Sequence, residues 1–340
     1  MPPRLRVSDK SNLLISQNTF ILKALLKAKP EPVSGTALAK GLGTSRASVW
    51  RRIAQLRQQG FKIEALPRRG YHLVKKPKKI HPDLIVAYLE GTSAPPKLFF
   101  HPQVDSTNSA AERLLGTSQK TPFIVLASSQ IQGRGRRGRR WHSTSEGNLY
   151  MSFGFSPRLA PQKVQTFTLW MGARICDFFN THHTIPLRVK WPNDLFYKRR
   201  KVAGMLTESR IDSGRVGSLI FGLGLNVNHD PGTTASELAG VTTSLAKIIG
   251  KQLPINRIAA ALIDEVLKAY HEFVKGISSK SLEQLWSRYD YLSGQNVTVQ
   301  NGEQSLKGTI GGINKNGALR IHLENGRETV IHTGDISIAY

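Results

Sequence analysis

The first quarter of the chain has the hydrophobic pattern of three short helices. Apolar side chains recur at helical spacing over residues 16–28, and turn residues separate this segment from a second helix over 35–40. Thr44 or Ser45 is placed to cap a third helix that extends to Gln59. Two short helices around a glycine-bearing turn are typical of a helix-turn-helix, so the sequence predicts one here.

The pattern then changes to the period of two that a strand hairpin shows. Residues 61–65 alternate between apolar and polar side chains, 67–70 form a turn, and 71–74 return. This hairpin is predicted to be the wing of a winged helix-turn-helix. The third helix and the wing tip carry the candidate DNA contacts, which are Ser45, Arg46, Ser48, Arg51, Arg52, Arg68 and Arg69. A helical interaction module with a solvated basic face is the alternative interpretation.

The middle of the chain mixes helical segments with strand-like sequence. Strands are predicted at residues 98–104, 123–127, 149–155, 187–190, 201–209 and 216–228. The hairpin signal Asp212-Ser213-Gly214 joins the last two, which makes them antiparallel. After the third strand, an apolar helical pattern surrounds Cys176, the only cysteine of the chain, where a buried thiol is expected.

The C-terminal part begins with helical spacing and ends with short alternating runs. Helices are predicted over residues 254–276 and 282–289. Strands follow at 296–300, 305–312, 318–323, 328–332 and 336–338, and the turn signals Asn301-Gly302, Asn316-Gly317 and Asn325-Gly326 punctuate them. So many short strands close together predict a small SH3-like barrel.

The distribution of charge indicates that the N-terminal part of the chain binds a polyanion. The 340-residue chain has a formal net charge of +25, and residues 1–80 hold 18 Lys and Arg against 3 Asp and Glu. This N-terminal excess indicates that the helix-turn-helix binds nucleic acid. No apolar run reaches the length of about 18 residues that a transmembrane helix needs, and the N-terminus lacks a signal-peptide core. The sequence therefore predicts a cytoplasmic protein without a membrane partner.

Residues 128–143 contain five arginines interleaved with glycines. Glycine lets backbone N–H groups approach a ligand, and the arginine fork matches carboxylate or phosphate oxygens. The stretch therefore predicts a loop that closes over an anionic small molecule, with a solvated basic loop touching nucleic acid as the alternative. Gly133, Gly135 and Gly138 also match the dinucleotide fingerprint, but no helix is predicted to follow, as that fingerprint requires.

Polar residues at two other places complete the candidate chemistry. The segment 105–108, Asp-Ser-Thr-Asn, follows a strand and precedes a predicted helix, where either helix capping or ligand binding would explain it. Lys190, Asp194 and Lys201 are predicted to converge at one edge of the antiparallel strands, with ordinary surface salt bridges as the rival explanation. Glycines in the last of these strands leave room for a group to approach its backbone.

These stretches resemble, in chain order, the motifs of biotin–protein ligases. The matching residues are Gly133-Arg134-Gly135-Arg136-Arg137-Gly138-Arg139 with Trp141, Lys190-Trp191-Pro192-Asn193-Asp194, Lys201-Val202-Ala203-Gly204 and Gly222-Leu223-Gly224-Leu225-Asn226. With the winged helix in front, nearly the whole chain resembles the bifunctional form of the family, which is both biotin–protein ligase and biotin operon repressor. The resemblance implies an α+β multidomain fold with three parts. These are a winged helix-turn-helix DNA-binding domain (1–78), a central α/β biotin/lipoate-ligase domain related to class II aminoacyl-tRNA synthetases (79–290), and an SH3-like C-terminal β-barrel (291–340).

The resemblance also implies the reaction and its partners. Biotin and ATP, with Mg²⁺, would give biotinyl-5′-adenylate and pyrophosphate, and a lysine of the biotin carboxyl carrier protein of acetyl-CoA carboxylase would then receive biotin. Operator DNA would be the second partner, with the adenylate as corepressor and a homodimer as the liganded form. No dedicated protein cage for the metal is expected, since Mg²⁺ would arrive with ATP.

The site residues that the resemblance implies match positions of this sequence. Lys201, Arg136 and Asp194 are the expected catalytic residues, with Asp194 assigned to the metal or to orienting the incoming amine. The expected contacts to biotin or its adenylate are Ser106, Thr107, Asn108, Gln130, Gly133, Arg134, Gly135, Arg136, Trp141, Lys201, Gly204 and Asn226.

Two departures from the family pattern limit what the resemblance implies. Trp50-Arg51 occupies positions where family repressors often have small polar base readers, and Gly311 has no side chain where some relatives have an arginine. A DNA-binding regulator that senses a small acid and has lost ligation is one alternative function, and a lipoate ligase is another. The retained Lys201 and arginine loop favour catalysis over the first, and the same loop and the winged helix disfavour the second.

Overall fold

The computed structural model describes residues 16–89, 95–143, 147–301, 304–332 and 334–338. The chain divides into two units, Met1–Pro95 and Pro96–Tyr340. The first unit contains the predicted winged helix-turn-helix and the first residues, 79–95, of the predicted ligase domain. The second contains the rest of that domain and the predicted barrel.

The first unit is a winged helix-turn-helix, as the sequence predicts. Its elements are α1 (Gln17–Ala28), α2 (Gly35–Leu42), α3 (Arg46–Gln58), β1 (Lys62–Leu66), β2 (Gly70–Lys75) and α4 (Pro82–Tyr88). Serine side chains cap the first three helices by accepting backbone N–H groups at 3.0 to 3.2 Å. Val49, Ile53 and Leu56 on α3 are fully buried, which confirms the predicted core face of that helix.

Two features of this unit differ from the sequence-based expectation. The second helix continues to Leu42 instead of ending at Lys40, because Gly43 adopts the left-handed conformation (φ 61°) that terminates it. Gly41 is therefore helical rather than part of the predicted turn. Beyond the wing, α4 buries Leu84 in the same core. The predicted domain boundary after residue 78 stays a prediction, and α4 lies beyond it.

The second unit is built on a mixed β-sheet, seven-stranded within the described residues. Its strands are β3 (Lys97–Val104), β4 (Phe123–Gln130), β5 (Leu149–Phe155), β6 (Arg188–Lys190), β7 (Asp194–Tyr197), β8 (Arg200–Asp212) and β9 (Arg215–Leu225). They are arranged in the order β3-β4-β5-β9-β8-β7-β6. β3 and β4 are parallel, and the other neighbouring pairs are antiparallel. The predicted hairpin between β8 and β9 is present, since Ser213 and Gly214 both have positive φ.

Helices cover both faces of this sheet. They are α5 (Thr107–Gly116), α6 (Lys163–His183), α7 (Leu245–Ile249), α8 (Ile255–Gly276) and α9 (Ser279–Tyr289). Adjacent residues of β9 define the two faces, because neighbours in a strand point in opposite directions. The ring of Phe221 lies 5.9 Å from the ring of Phe167 on α6, whereas Gly222 lies beneath Asn108 of α5. The α5 face is also the face that carries the polar candidate residues.

The strand β9 is shorter than predicted. It ends at Leu225 rather than Asn228, because the carbonyl oxygens of Asn226 and Val227 accept hydrogen bonds from the N–H groups of Leu245 and residue 246 at the start of α7. The carbonyl groups beyond Leu225 therefore bond to the start of α7, although the Asn226 N–H still donates to the Val202 carbonyl oxygen of β8 at 2.9 Å.

The C-terminal part is an antiparallel sheet, which confirms the predicted SH3-like arrangement. Its strands are β10 (Asn296–Asn301), β11 (Gln304–Ile313), β12 (Leu319–Leu323), β13 (Glu328–Ile331) and β14 (Asp335–Ile338), in the order β13-β12-β11-β10-β14. Of the predicted Asn301-Gly302 turn, residues 302 and 303 lie outside the described residues. The indole N–H of Trp191 and the side-chain amide of Gln165 donate to the carbonyl oxygen of Gly317 at 3.1 and 3.0 Å, which joins this sheet to the central one.

Candidate active site

Most of the predicted site residues of the second unit line one cavity of about 370 Å³. It lies between the arginine loop, the start of α5, the glycines of β8 and β9, and the β6–β7 connection. Of the residues expected to bind or act on ligand, the cavity is lined by Ser106, Thr107, Asn108, Gln130, Arg134, Gly135, Arg136, Trp141, Asp194, Lys201 and Gly204. Gly133 and Asn226 are not among its lining residues. The C-terminal sheet also borders it, through Gly334 and Ile336.

One end of the cavity is a buried hydrogen-bond network around Gln130. The Gln130 side-chain oxygen accepts from the Thr107 N–H at 2.8 Å and from its hydroxyl at 3.1 Å, while its amide donates to the Ser143 hydroxyl at 2.8 Å. The Ser152 hydroxyl donates to Thr107 Oγ1 at 2.8 Å. Ser106 occupies the N-cap position of α5 without a capping hydrogen bond, so capping does not explain these polar residues.

Asn108 and the arginine loop share a partner that the sequence did not identify. The Asn108 amide donates to Glu208 Oε2 at 2.6 Å, and Arg134 Nη2 donates to the same oxygen at 2.7 Å. Asn108 Oδ1 in turn lies 2.5 Å from the Ser152 hydroxyl oxygen, whose single proton is shared between Asn108 and Thr107. Glu208 on β8 therefore links the polar end of the cavity to the loop, although its place in a regular strand pattern carried no local signal.

The arginine loop is a compact turn followed by extended chain. A single 3₁₀ turn spans Arg136–Gly138, and an isolated bridge pairs Arg134 with Arg140. The absence of an α-helix after the loop, within the described residues, agrees with the rejection of the dinucleotide fingerprint. Arg136 Nη1 donates to Asn193 Oδ1 at 3.3 Å, which ties the loop to the β6–β7 connection.

Trp141 packs its indole on a floor made of two glycines. Gly204 and Gly224 are paired neighbours on β8 and β9. A Cβ at Gly224 would lie 2.4 Å from the indole, and one at Gly204 would lie 2.8 Å from it. A Cβ at Gly133 would lie 2.4 Å from the Trp141 carbonyl oxygen, so three glycines permit this one close approach. The indole N–H is buried and has no hydrogen-bond partner among the described residues.

Lys201, Asp194 and Lys190 meet at one edge, as the sequence predicts. Lys201 Nζ lies 2.8 Å from Asp194 Oδ1, and Asp194 pairs in register with Lys190 across β6 and β7. The Lys201 ammonium also lies 5.2 Å from the centre of the Trp141 ring. The side chains of Lys201 and Asp194 are 29% and 24% exposed and line the cavity, so they are not an ordinary surface salt bridge.

Two other titratable groups near the site or in the core have shifted pKa values. The Arg113 guanidinium binds the Asp105 carboxylate through both oxygens, at 2.8 and 2.9 Å, and lowers the pKa of Asp105 to about 2. This pair braces the turn between β3 and α5, where Ser106 lies. Cys176 is buried in α6, as predicted, and burial raises the pKa of its thiol above its ordinary value. Cys176 is therefore a core residue.

The described part of the chain has neither a cluster of metal ligands nor a helix that could span a membrane. No group of three or more His, Cys, Asp or Glu side chains is arranged to hold a metal ion there. None of its helices combines the length and apolarity needed to cross a membrane. Among the described residues that line the cavity, Asp194 is the only carboxylate.

The candidate DNA contacts of α3 and its N-cap differ in exposure and in their hydrogen-bond partners. Arg46 and Arg51 are exposed on α3, and between them Trp50 is 59% exposed. Ser45 uses its hydroxyl to cap α3, accepting the Ser48 N–H at 3.2 Å. Arg52, predicted to point outward, is half-buried and donates to Gln17 of α1 at 3.1 Å.

The wing tip carries the other two candidate DNA contacts. Arg68 adopts a positive φ of 61° in the β1–β2 turn. Arg69 forms an exposed ion pair with Glu31 at 3.2 Å. Exposed pairs of this kind contribute little to stability, so Arg69 can exchange Glu31 for another anion at small cost.

Comparison with known proteins follows the same division of the chain. The Biotin/lipoate A/B protein ligase family matches residues 100–226, an HTH domain matches 18–72, and the Biotin protein ligase C terminal domain matches 292–338. The chain is 30% identical to the Bifunctional ligase/repressor BirA of Bacillus subtilis over 94% of this chain and 97% of that protein. It is 31% identical to the Escherichia coli protein of the same name over 90% of this chain and 93% of that one.

A solved biotin protein ligase structure also matches most of the chain. The biotin protein ligase from Aquifex aeolicus, in complex with biotin and ATP, matches with a TM-score of 0.61 and 28% identity. The match covers 72% of this chain and 98% of that one. Because relatives of at least 30% identity are matched over nearly their whole length, with a DNA-binding module before the ligase module, the chain belongs to the family of bifunctional biotin–protein ligases and biotin operon repressors.

Proposed function

We propose that the cavity joins biotin to AMP and then hands biotin to a lysine of the biotin carboxyl carrier protein of acetyl-CoA carboxylase. A biotin carboxylate oxygen attacks the α-phosphorus of ATP, and pyrophosphate leaves. The deprotonated lysine amine then attacks the acyl carbon, AMP leaves, and an amide remains. The arginine loop facing Lys201 across one polar cavity is the observation that carries this proposal.

The first step brings two anions together, so cations must offset their repulsion. We assign that role to Lys201 and Arg136, because positive charges placed in advance around the reacting phosphate stabilise the charge that develops there. Asp194 forms an ion pair with the Lys201 ammonium at 2.8 Å, which keeps this charge beside the cavity before the substrates arrive. Loop closure keeps water from the reactive adenylate.

The polar end of the cavity suits the ureido head of biotin, which has two N–H donors and a carbonyl acceptor. We assign its recognition to Ser106, Thr107, Asn108 and Gln130, which are all less than a tenth exposed. Buried polar groups held by fixed partners discriminate strongly against ligands that leave them unpaired. The assigned adenylate contacts are Gly133, Arg134, Gly135, Arg136, Trp141, Lys201, Gly204 and Asn226, of which Asn226 acts from outside the cavity lining.

ATP and biotin are the proposed substrates, and the Aquifex aeolicus ligase solved with both supports them. Mg²⁺ is proposed as the companion of ATP. It prefers oxygen ligands and commonly takes one or two carboxylates together with phosphate oxygens and water. A single lining carboxylate, Asp194, fits a metal held chiefly by the nucleotide.

The direct test is biotin-dependent release of pyrophosphate by the purified chain with ATP and Mg²⁺. We expect release to require biotin, and addition of the carrier protein to give biotinylated carrier and AMP. Lipoate in place of biotin is the control for the alternative ligase. A protein that binds biotin and DNA but releases no pyrophosphate would instead be a regulator without ligase activity.

Arg136→Gly should release activated biotin before the carrier protein arrives. Arg136 ties the loop to Asn193 at 3.3 Å, so its loss loosens the closed loop and exposes the acyl-adenylate. We expect biotinylation of bystander lysines on an added unrelated protein, detected by avidin blotting. Arg327→Gly, which removes an exposed arginine from the β12–β13 turn, is the control. If the Arg136 variant labels only the carrier protein, Arg136 does not keep the loop closed over the acyl-adenylate.

The winged helix is proposed to bind operator DNA, and Arg51 and Trp50 should affect that binding differently. Arg51→Ala removes a charge, so it should weaken binding to all DNA and reduce the slope of log affinity against log salt by about 1. Trp50→Ala removes an exposed apolar group that suits thymine methyls, so it should lower the preference for operator and leave the slope unchanged. Anisotropy titrations at several salt concentrations distinguish the two results, with exposed Gln58→Ala as control. If the slope of log affinity against log salt is the same in all three variants, Arg51 does not contact the DNA.

A homodimer is the proposed liganded form, because one recognition helix rarely makes enough contacts for specific binding. Binding of biotinyl-5′-adenylate neutralises the repulsion within the arginine loop and orders it, which lowers the cost of association. The adenylate, more than biotin, should therefore promote self-association and operator binding, and reciprocity requires the dimer to hold it more tightly. Sedimentation with and without the adenylate tests this. A liganded protein that stays monomeric while it occupies operator would disprove the coupling.

Both proposed macromolecular partners, the carrier protein and operator DNA, are consistent with a cytoplasmic location.

A further inference from the structure

Both backbone hydrogen-bonding groups of Lys201 are held by a segment that is distant in sequence. The Lys201 N–H donates to the Val241 carbonyl oxygen at 2.8 Å, and the Lys201 carbonyl oxygen accepts from the Thr243 N–H at 3.0 Å. Residues 241–243, which we name the strap, thus run parallel to the start of β8. The Asn226 amide also donates to the Thr243 carbonyl oxygen, at 3.1 Å. The position of the Lys201 backbone consequently depends on the position of the strap.

The strap is held by two groups. The Leu238 carbonyl oxygen accepts from the Val241 and Thr242 N–H groups at 3.2 Å, and the buried carboxylate of Asp230 binds the Thr242 side chain. The Thr242 hydroxyl donates to Asp230 Oδ1 at 2.8 Å, and the Gly232 N–H donates to the same oxygen at 3.1 Å. Lys247 Nζ lies 2.9 Å from the other oxygen, Oδ2. Asp230 is only 7% exposed, so these donors replace most of the water that a carboxylate requires.

The contacts of Asp230 also keep it ionised. Burial by itself raises the pKa of Asp230, but the hydrogen bonds from Lys247, Thr242 and Gly232 outweigh that effect and hold the pKa below its ordinary value. Charge-assisted hydrogen bonds of this kind are stronger than neutral ones. The carboxylate therefore fastens the strap at neutral pH.

Asp230 does not line the cavity, and it reaches Lys201 only through the strap. Lys201 is thus held at both ends, by Asp194 at its ammonium and by the strap at its backbone. We propose that Asp230 is a positioning residue for adenylation, because its contact with Thr242 fixes the strap and thereby the place from which Lys201 reaches the reacting phosphate. This inference rests on the proposed role of Lys201 in that step.

The expected size of the effect follows from how sharply catalysis depends on placement. A displacement of about 1 Å in a catalytic group can lower a rate by about 100-fold. Asp230→Ala should therefore lower kcat for pyrophosphate release by about 10- to 100-fold. The KM for biotin should change much less, because the residues proposed to bind the biotin head are on α5 and β4.

Three further variants separate positioning from a general loss of structure. Thr242→Val keeps the shape of the side chain but removes the hydroxyl, and should lower kcat in the same direction as Asp230→Ala. Thr242→Ser keeps the hydroxyl that Thr242→Val lacks, so it should retain the wild-type kcat. Asp212→Ala removes an exposed carboxylate from the β8–β9 hairpin and is the matched control. Thermal unfolding of each variant identifies any that fails to fold, in which case the Thr242 pair decides.

A double-mutant cycle with Lys201→Ala provides the decisive readout. If Asp230 acts through Lys201, Asp230→Ala should cause no further loss of kcat once Lys201 is alanine. An independent loss in that background would overturn the inference. So would wild-type kcat in both Asp230→Ala and Thr242→Val when Lys201→Ala alone is defective. If Lys201→Ala itself releases pyrophosphate normally, the proposed role of Lys201 fails and the positioning inference fails with it.

Discussion

Lys201→Ala is expected to lower the rate of biotin-dependent pyrophosphate release by about 100- to 1,000-fold while the fold remains intact. The ammonium lies in the cavity at a fixed distance from Asp194, so its field is in place before the phosphate begins to carry additional charge. Losing one preorganised group of this kind costs about 3 to 4 kcal/mol of transition-state stabilisation. Single-turnover release of pyrophosphate from ATP and saturating biotin measures that loss directly.

The matched control is Lys280→Ala, which removes an exposed lysine of α9 and should release pyrophosphate at the wild-type rate. Lys201→Ala also leaves Asp194 without its cation, so thermal unfolding is needed to show that the variant is folded. A folded Lys201→Ala protein with unchanged pyrophosphate release would refute the role assigned to this residue. Lys201→Arg keeps the charge with a different shape, so its activity separates charge from position.

Gly224→Ala should weaken binding of biotin and its adenylate by about 5- to 150-fold. The added methyl would lie 2.4 Å from the Trp141 indole, a distance that a rigid ring cannot accommodate. Trp141 must therefore move, together with the arginine loop to which it belongs. Forcing an extra carbon into a tightly packed place typically costs about 1 to 3 kcal/mol. Calorimetric titration with biotin, and the dissociation rate of preformed adenylate, measure the effect.

Gly116→Ala is the control for this change, because a Cβ at the end of α5 would meet no atom within 4 Å. Trp141→Ala removes the colliding ring, so Gly224→Ala should cost little in that background. Wild-type affinity in the Gly224→Ala protein would mean that the indole does not rest on this strand in solution. An equal loss with and without Trp141 would assign the effect to the strand itself.

Local patterns in the sequence determined most of the secondary structure. The predicted strand 149–155 coincides with β5, and α3 buries the three apolar residues that its spacing selected. The signals Asp212-Ser213-Gly214, Asn316-Gly317 and Asn325-Gly326 mark the turns of described hairpins, since they favour positive φ near the turn. These strands, helix faces and turns depend on residues only a few positions apart, so local sequence patterns are sufficient to predict them. The family motifs likewise include Lys201 and the arginine loop, which line one cavity in the structure.

The predicted ends of β9 and α2 differ from the observed ends. In each case the end of the element depends on a distant hydrogen-bond partner or on the conformation of one glycine. β9 stops at Leu225 because the carbonyl oxygens that follow bond to the start of α7, about twenty residues further along the chain. α2 continues to Leu42 because the left-handed glycine that ends it is Gly43 and not Gly41. Both glycines are equally plausible terminators in the sequence. The hydrogen bonds of the folded chain select between them.

Patterns and motifs in the sequence thus indicate which residues are candidates for the chemistry and which segments form the elements that hold them. The contacts between these segments are visible only in the folded chain. Glu208 joins Asn108 to Arg134, Trp141 packs against Gly204 and Gly224, and Asp230 binds the strap that contacts Lys201. Each of these contacts links residues whose sequence separation exceeds any periodic pattern. Their hydrogen bonds and close approaches become favourable only after the sheet has brought the strands together, because chain entropy opposes such contacts in the unfolded protein.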